Sequence, residues 1–68
     1  MLKNHNHDLV QQLSETSDSI WRMDMYLKSA EGCGSCVKIW KQLKKDYEKH
    51  IELLREEIGR HVKEGRFD

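Results

Sequence analysis

A chain of 68 residues with twelve basic and twelve acidic side chains is long enough for one small domain and carries no net charge. This balance excludes a chain that is drawn as a whole to nucleic acid or to an anionic membrane. No apolar run approaches the roughly 18 to 20 residues of a membrane span, and we expect a cytoplasmic protein. A lone domain of this size buries only about 60% of its unfolded surface, so we expect a partner to stabilise it.

Apolar residues at helical spacing predict a first helix from about residue 8 to about residue 30. Its stripe advances alternately by four and three residues, as on the packed face of a helix. The stripe consists of Leu9, Leu13, Thr16, Ile20, Met23, Leu27 and Ala30. We expect residues 1–7 to be a frayed terminus, with Asn6 or Asp8 as the N-cap.

Gly32 and Gly34 mark the one place where the sequence favours a sharp reversal. Gly32 suits the left-handed residue that closes a helix, and Ser35 is a reasonable N-cap for the next helix. The connection, at about residues 31–35, is short enough to make the two helices antiparallel neighbours.

A second helix is expected from about residue 36 to about residue 63. Its predicted inner stripe is Cys36, Trp40, Leu43, Tyr47, His50, Leu54 and His61, widened by Ile51, Ile58 and Val62. Both helices carry stripes wider than one contact needs. We therefore predict an all-α antiparallel two-helix hairpin, a single domain over residues 1–68, that forms a homodimeric four-helix bundle.

The segment DYEKH, residues 46–50, resembles the second metal-binding helix of ferritin-like proteins, in which a Glu and, three residues on, a His bind one ion. His50 stands at the His position, whereas Tyr47 replaces the Glu. The segment DSIW, which begins at Asp18, is similar to the helix that supplies another acidic ligand in encapsulated-ferritin and rubrerythrin-type proteins.

The ferritin-like resemblance implies a ferritin-like four-helix bundle with an altered di-iron site. Its implied metal ligands are His50, Asp46, Asp18 and Tyr47, and its implied ion is Fe, with Mn or Zn as alternatives. Ferroxidase-like activity is the weaker expectation, because Tyr47 stands in place of the glutamate whose carboxylate normally links two irons.

A structural role for His50 is the competing interpretation. In that case His50 is a core residue, hydrogen-bonded across the bundle to Asp24, Tyr47 or Thr16. Trp21 and Trp40 are expected to anchor interfaces, because aromatic rings contribute a large apolar area.

Cys33 and Cys36 form a CxxC motif where the second helix begins. A helix N-terminus stabilises a thiolate, so Cys36 is a candidate redox-active thiol and the pair a candidate redox switch. One CxxC is also half of a four-thiolate zinc site, which a second chain would have to complete. The remaining interpretation is a packing cysteine beside a loop thiol.

A basic stripe lies on one outer face of the second helix and consists of Lys38, Lys41, Lys45 and Lys49. The alternative function is therefore a non-enzymatic dimeric bundle that serves as an RNA- or protein-binding module. Asp46 and Glu48 interrupt the stripe, so nucleic acid is the less expected partner, and a solvated helix face is the simplest interpretation.

Overall fold

Two long helices and one tight turn make up the protein. The structure is a computed structural model that describes residues 1–68, with α1 at Asn4–Ser29 and α2 at Gly34–Lys63. The helices pack side by side into a hairpin of about 50 × 18 × 12 Å, which confirms the predicted all-α hairpin. Neither helix contains a segment that is both long enough and apolar enough to cross a bilayer.

The turn between the helices uses the predicted glycine but a different N-cap. Gly32 adopts a φ of +90°, the left-handed conformation that glycine reaches without strain. Cys33, rather than Ser35, is the N-cap of α2, and its sulfur accepts a hydrogen bond from the backbone N–H of Cys36 at 3.4 Å. The predicted cap was wrong because the chain enters α2 at Gly34, which places Ser35 inside the first turn.

The predicted stripe of α1 faces α2, and every member of it is buried or half-buried. Met23 and Ala30 are the buried apolar residues, and Thr16 is only 2% exposed. The Thr16 hydroxyl accepts a hydrogen bond from the Gln12 side chain at 3.1 Å, on the same helix. A buried hydroxyl is therefore tolerated at this position because its hydrogen bond is satisfied locally.

The stripe of α2 differs from the prediction at two positions, since His50 and Val62 are exposed. Between Tyr47 and Leu54 a helical stripe can pass through residue 50 or residue 51, and here it passes through Ile51, which is half-buried. Burial of Ile51 needs no hydrogen-bond partner, whereas burial of an imidazole does. His50 therefore lies at the edge of the contact between the helices.

The open end of the hairpin is held together by Asn6, which is fully buried. Its side-chain N–H groups donate to the backbone carbonyls of Arg66 at 2.9 Å and Asp68 at 3.0 Å. The backbone N–H of Lys3 also donates to the Asp68 carbonyl, at 2.7 Å. These contacts order the first turn, so α1 begins at Asn4; the predicted start near residue 8, the frayed terminus and the side-chain cap were wrong.

His61 lies beneath this end and is buried, as its place in the predicted stripe indicated. Its Nδ1 is 2.6 Å from Asn6 Oδ1, and its Nε2 is 3.0 Å from a Glu57 carboxylate oxygen. Because both N–H groups of Asn6 donate to carbonyls, Asn6 Oδ1 is the acceptor and Nδ1 of His61 the donor. Gly65, with a φ of +70°, turns the chain after α2 back towards Asn6.

Candidate functional site

A shallow groove follows the middle of α2 on a flank that α1 leaves uncovered. All of its lining residues belong to α2, and they are Leu43, Asp46, Tyr47, Lys49, His50 and Leu53. Leu53 is 65% exposed, an unusual position for a large apolar side chain in the middle of a helix. We call this surface the α2 groove.

The α2 groove has the spacing of a second helical stripe. Leu43, Asp46, His50 and Leu53 follow one another at three, four and three residues, so they share a face of α2. This face lies beside the stripe that packs on α1. The helix therefore presents two adjacent packing faces, of which the hairpin itself covers only one.

Asp46 and His50 bring a carboxylate and an imidazole to the same face. The Asp46 carboxylate accepts a hydrogen bond from the Gln42 side chain at 2.9 Å. The ring of His50 packs edge-on against Tyr47, with 5.8 Å between ring centroids and an interplanar angle of 83°. Both groups remain accessible to a ligand or to another protein chain.

Within one hairpin His50 is exposed and has none of the hydrogen bonds expected of a structural role, and two of the proposed partners are engaged elsewhere. The Asp24 carboxylate accepts a hydrogen bond from Lys44 Nζ at 2.7 Å, across the two helices. This hydrogen bond and the charge of Asp24 raise the pKa of Lys44 above its ordinary value. The Thr16 hydroxyl accepts a hydrogen bond from Gln12, and Tyr47 contacts His50 through an edge-on packing of the two rings.

The four predicted metal ligands do not converge in one chain. Asp46, Tyr47 and His50 share the α2 groove. Asp18 is exposed on α1, two residues from the buried Thr16 and hence about 200° around the helix from the packed face. No group of three or more His, Cys, Asp and Glu side chains within the chain is placed to hold a metal ion.

The CxxC motif lies at the turn, at one end of the hairpin. Cys33 and Cys36 form a disulfide, with 5.3 Å between their Cα atoms. A small apolar cleft adjoins it, lined by Tyr26, Ser29, Ala30, Cys33, Cys36 and Trp40. We call this surface the cysteine cleft.

The two tryptophans have different environments. Trp40 is half-buried and packs against Tyr26, with 4.9 Å between ring centroids, so it anchors the contact between the helices. Trp21 is 66% exposed and takes no part in that contact. The predicted basic stripe, Lys38, Lys41, Lys45 and Lys49, is exposed along its whole length.

Sequence analysis missed the cluster of Asn6, His61 and Glu57. Asn6 and His61 are 55 residues apart, and no local pattern links them. It also missed the symmetry of the α2 groove, although the signal is in the sequence: the spacing of its residues is the same when read in either direction from residue 48.

Comparison of the chain with protein-family models, with curated proteins and with solved structures finds no match.

Proposed function

We propose that the protein is a self-associating helical hairpin, in which two copies pair through the α2 groove to form an antiparallel, non-enzymatic four-helix bundle. The observation that supports this proposal is the self-complementarity of the groove. A two-fold interface places residue i against residue j of the partner and residue j against residue i. An antiparallel pair of α2 helices centred on residue 48 meets this condition with the four residues of the shared face, Leu43, Asp46, His50 and Leu53.

In that register the groove residues meet partners of suitable chemistry. Leu43 lies opposite the partner's Leu53, which buries one half-buried and one exposed apolar side chain on each side of the axis. Asp46 lies opposite the partner's His50, an attractive pair when the imidazole is protonated and a hydrogen bond when it is neutral.

The exposed area of the hairpin also favours a dimer. Its accessible surface is 5302 Å² for a mass of 8.1 kDa. A compact monomer of that mass exposes about 4,500 Å², so the hairpin has an excess of about 800 Å². Each partner in a standard protein interface buries about 800 Å². One interface per chain therefore accounts for the excess.

Light scattering during size-exclusion chromatography tests the association, and the expected mass is twice 8.1 kDa. Leu53→Asp should give a monomer, because it places two unpaired carboxylates in the apolar part of the interface. Val62→Asp is the matched control, since Val62 is also exposed on α2, at 57%, but lies outside the groove. A monomeric parent protein, or a Leu53→Asp variant that stays dimeric, would refute the proposal.

Cysteine crosslinking tests the register. In a Cys33→Ser and Cys36→Ser background, Leu43→Cys combined with Leu53→Cys should form a covalent dimer on mild oxidation. Leu53→Cys alone should not, because ten residues separate it from position 43 and hence the two copies of Cys at 53 lie about 15 Å apart along the axis. Equal crosslinking in both variants would contradict the antiparallel register.

A metal site on the dimer axis is the second candidate function, supported by the placement of Asp46 and His50 one turn apart on the paired face. The proposed dimer collects two carboxylates and two imidazoles, a ligand set that suits one Fe, Mn or Zn ion. It does not suit a di-iron pair, because Tyr47 stands where a bridging carboxylate is required. We propose no ferroxidase activity for this site.

Metal analysis of untagged protein separates the two candidates. A bound ion should be lost in His50→Ala and retained in His7→Ala, since His7 is exposed at the open end of the hairpin and outside the α2 groove. A dimer without metal would leave the first proposal standing and remove the second.

A further inference from the structure

We propose that Cys33 and Cys36 are a redox-active dithiol, and that the cysteine cleft admits a substrate disulfide whose cysteine is flanked by apolar groups. This activity is independent of dimerisation through the α2 groove. It would make the turn of the hairpin a site of thiol–disulfide exchange.

A structural role explains this disulfide poorly. The stabilisation that a crosslink provides increases with the length of the loop it closes, and here only two residues lie between the cysteines. Both cysteines belong to the start of α2, so the bond joins no separate elements. The spacing of 5.3 Å between their Cα atoms is that of one helical turn, which the chain adopts whether the sulfurs are bonded or reduced.

The local environment distinguishes the two sulfurs. Cys33 is the N-cap of a 30-residue helix, and its Sγ accepts a hydrogen bond from the backbone N–H of Cys36 at 3.4 Å. The Ser35 hydroxyl lies 3.6 Å from the same sulfur. Backbone N–H groups and the positive end of the helix dipole stabilise a thiolate at this place. Cys33 is therefore the attacking sulfur, and Cys36 is the resolving sulfur.

The cysteine cleft supplies a surface for the substrate beside both sulfurs. Tyr26, Ala30 and Trp40 form its apolar walls, and both cysteines contribute to its lining. The rings of Tyr26 and Trp40, in contact at an interplanar angle of 46°, offer an aromatic surface on which an apolar side chain can pack. No charged side chain lines the cleft, so a polar, charged disulfide such as glutathione disulfide gains little there.

The exchange proceeds in two steps. The Cys33 thiolate attacks one sulfur of the substrate disulfide, the substrate S–S bond breaks, and the departing sulfur leaves with the electron pair and takes a proton from water. Cys36 then loses its proton to water, and its thiolate attacks Cys33 Sγ; the mixed S–S bond breaks, and the second substrate sulfur leaves with the electron pair and takes a proton from water. The substrate disulfide is reduced to two thiols, and the Cys33–Cys36 dithiol is oxidised to the disulfide of the structure.

Mass spectrometry of trapped mixed disulfides tests the assignment. Cys36→Ser retains the attacking sulfur and lacks the resolving one, so with the disulfide of a Phe-Cys-Phe peptide it should accumulate a mixed disulfide. Cys33→Ser should react about tenfold more slowly, because its remaining thiol lacks the N-cap donors. Equal rates in the two variants would overturn the assignment of the attacking sulfur.

Comparison of two probes tests the cleft. Cys36→Ser should react faster with the peptide disulfide than with oxidised glutathione, and Tyr26→Ala added to it should remove this preference. Tyr26 is 37% exposed and packs on Trp40 of the other helix, so circular dichroism and the urea midpoint check that the doubly substituted protein keeps its fold. No preference for the peptide, or a preference unchanged by Tyr26→Ala, would overturn the substrate class.

Discussion

Replacement of Asn6 by alanine tests how the open end of the hairpin is held. The substitution removes three hydrogen bonds, two to the backbone carbonyls of Arg66 and Asp68 and one to His61. Each contributes about 1 kcal/mol, and the loss leaves a buried nitrogen of His61 without a partner. Alanine is the better helix former by about 0.5 kcal/mol, which offsets only part of the loss. We expect a net destabilisation of about 3 kcal/mol.

The destabilisation expected of Asn6→Ala is a large fraction of the free energy of unfolding of the whole protein. A chain of 68 residues has a free energy of unfolding of about 3 to 10 kcal/mol. Urea denaturation followed by circular dichroism measures the change, at one fixed protein concentration because self-association would shift the midpoint. The backbone N–H of Arg66 donates a hydrogen bond to the carbonyl of His61. This N–H should exchange with solvent faster in Asn6→Ala than in the parent protein.

The matched control is Asn4→Ala, an exposed asparagine in the same first turn. Helix propensity alone predicts that both substitutions stabilise the protein, whereas the structure predicts opposite signs. If Asn6→Ala unfolds at the same urea concentration as Asn4→Ala, the contacts of Asn6 do not hold the two ends together.

Three further predictions concern the rest of the hairpin. Met23→Ala should lower the free energy of unfolding by about 2 kcal/mol, since Met23 is buried against α2, and Met25→Ala, on an exposed side chain, should change it little. Gly32→Ala should cost about 1 kcal/mol through backbone strain alone, because an added Cβ meets no atom within 4 Å. The raised pKa of Lys44 implies stabilisation that is complete below pH 10.5 and is lost as the pH rises through the higher, folded-state pKa. Lys44→Met should therefore lose less stability than the parent protein between neutral pH and pH 11; an equal loss would contradict the Asp24 pairing.

Much of the fold was predictable because it follows from local pattern. The stripe of α1 indicated which residues are buried, and Gly32 indicated the turn, since glycine reaches the left-handed conformation found there without strain. The pattern failed at His50, where two adjacent residues suit the same stripe and the cost of burying an imidazole decides between them.

The candidate sites were predictable only in part. Asp46, Tyr47 and His50 do share a surface, because residues three and four apart on a helix are neighbours. The position of Asp18 away from the packed face followed from the predicted stripe, because Asp18 is two residues from Thr16. The tyrosine and tryptophan beside Cys33 come from different helices, so their contact exists only after the hairpin closes.

The sequence by itself determined the two helices, the turn and the order of residues along each face, because these depend on interactions within about one helical turn. The symmetric spacing of the groove residues about residue 48, which supports the proposed pairing of two copies, is also a property of the sequence. Tertiary structure alone decided where α1 begins, since the first turn is ordered by the chain after α2, and which thiol caps α2. Contacts between residues some 60 positions apart leave no periodic trace, and only packing of the hairpin reveals them.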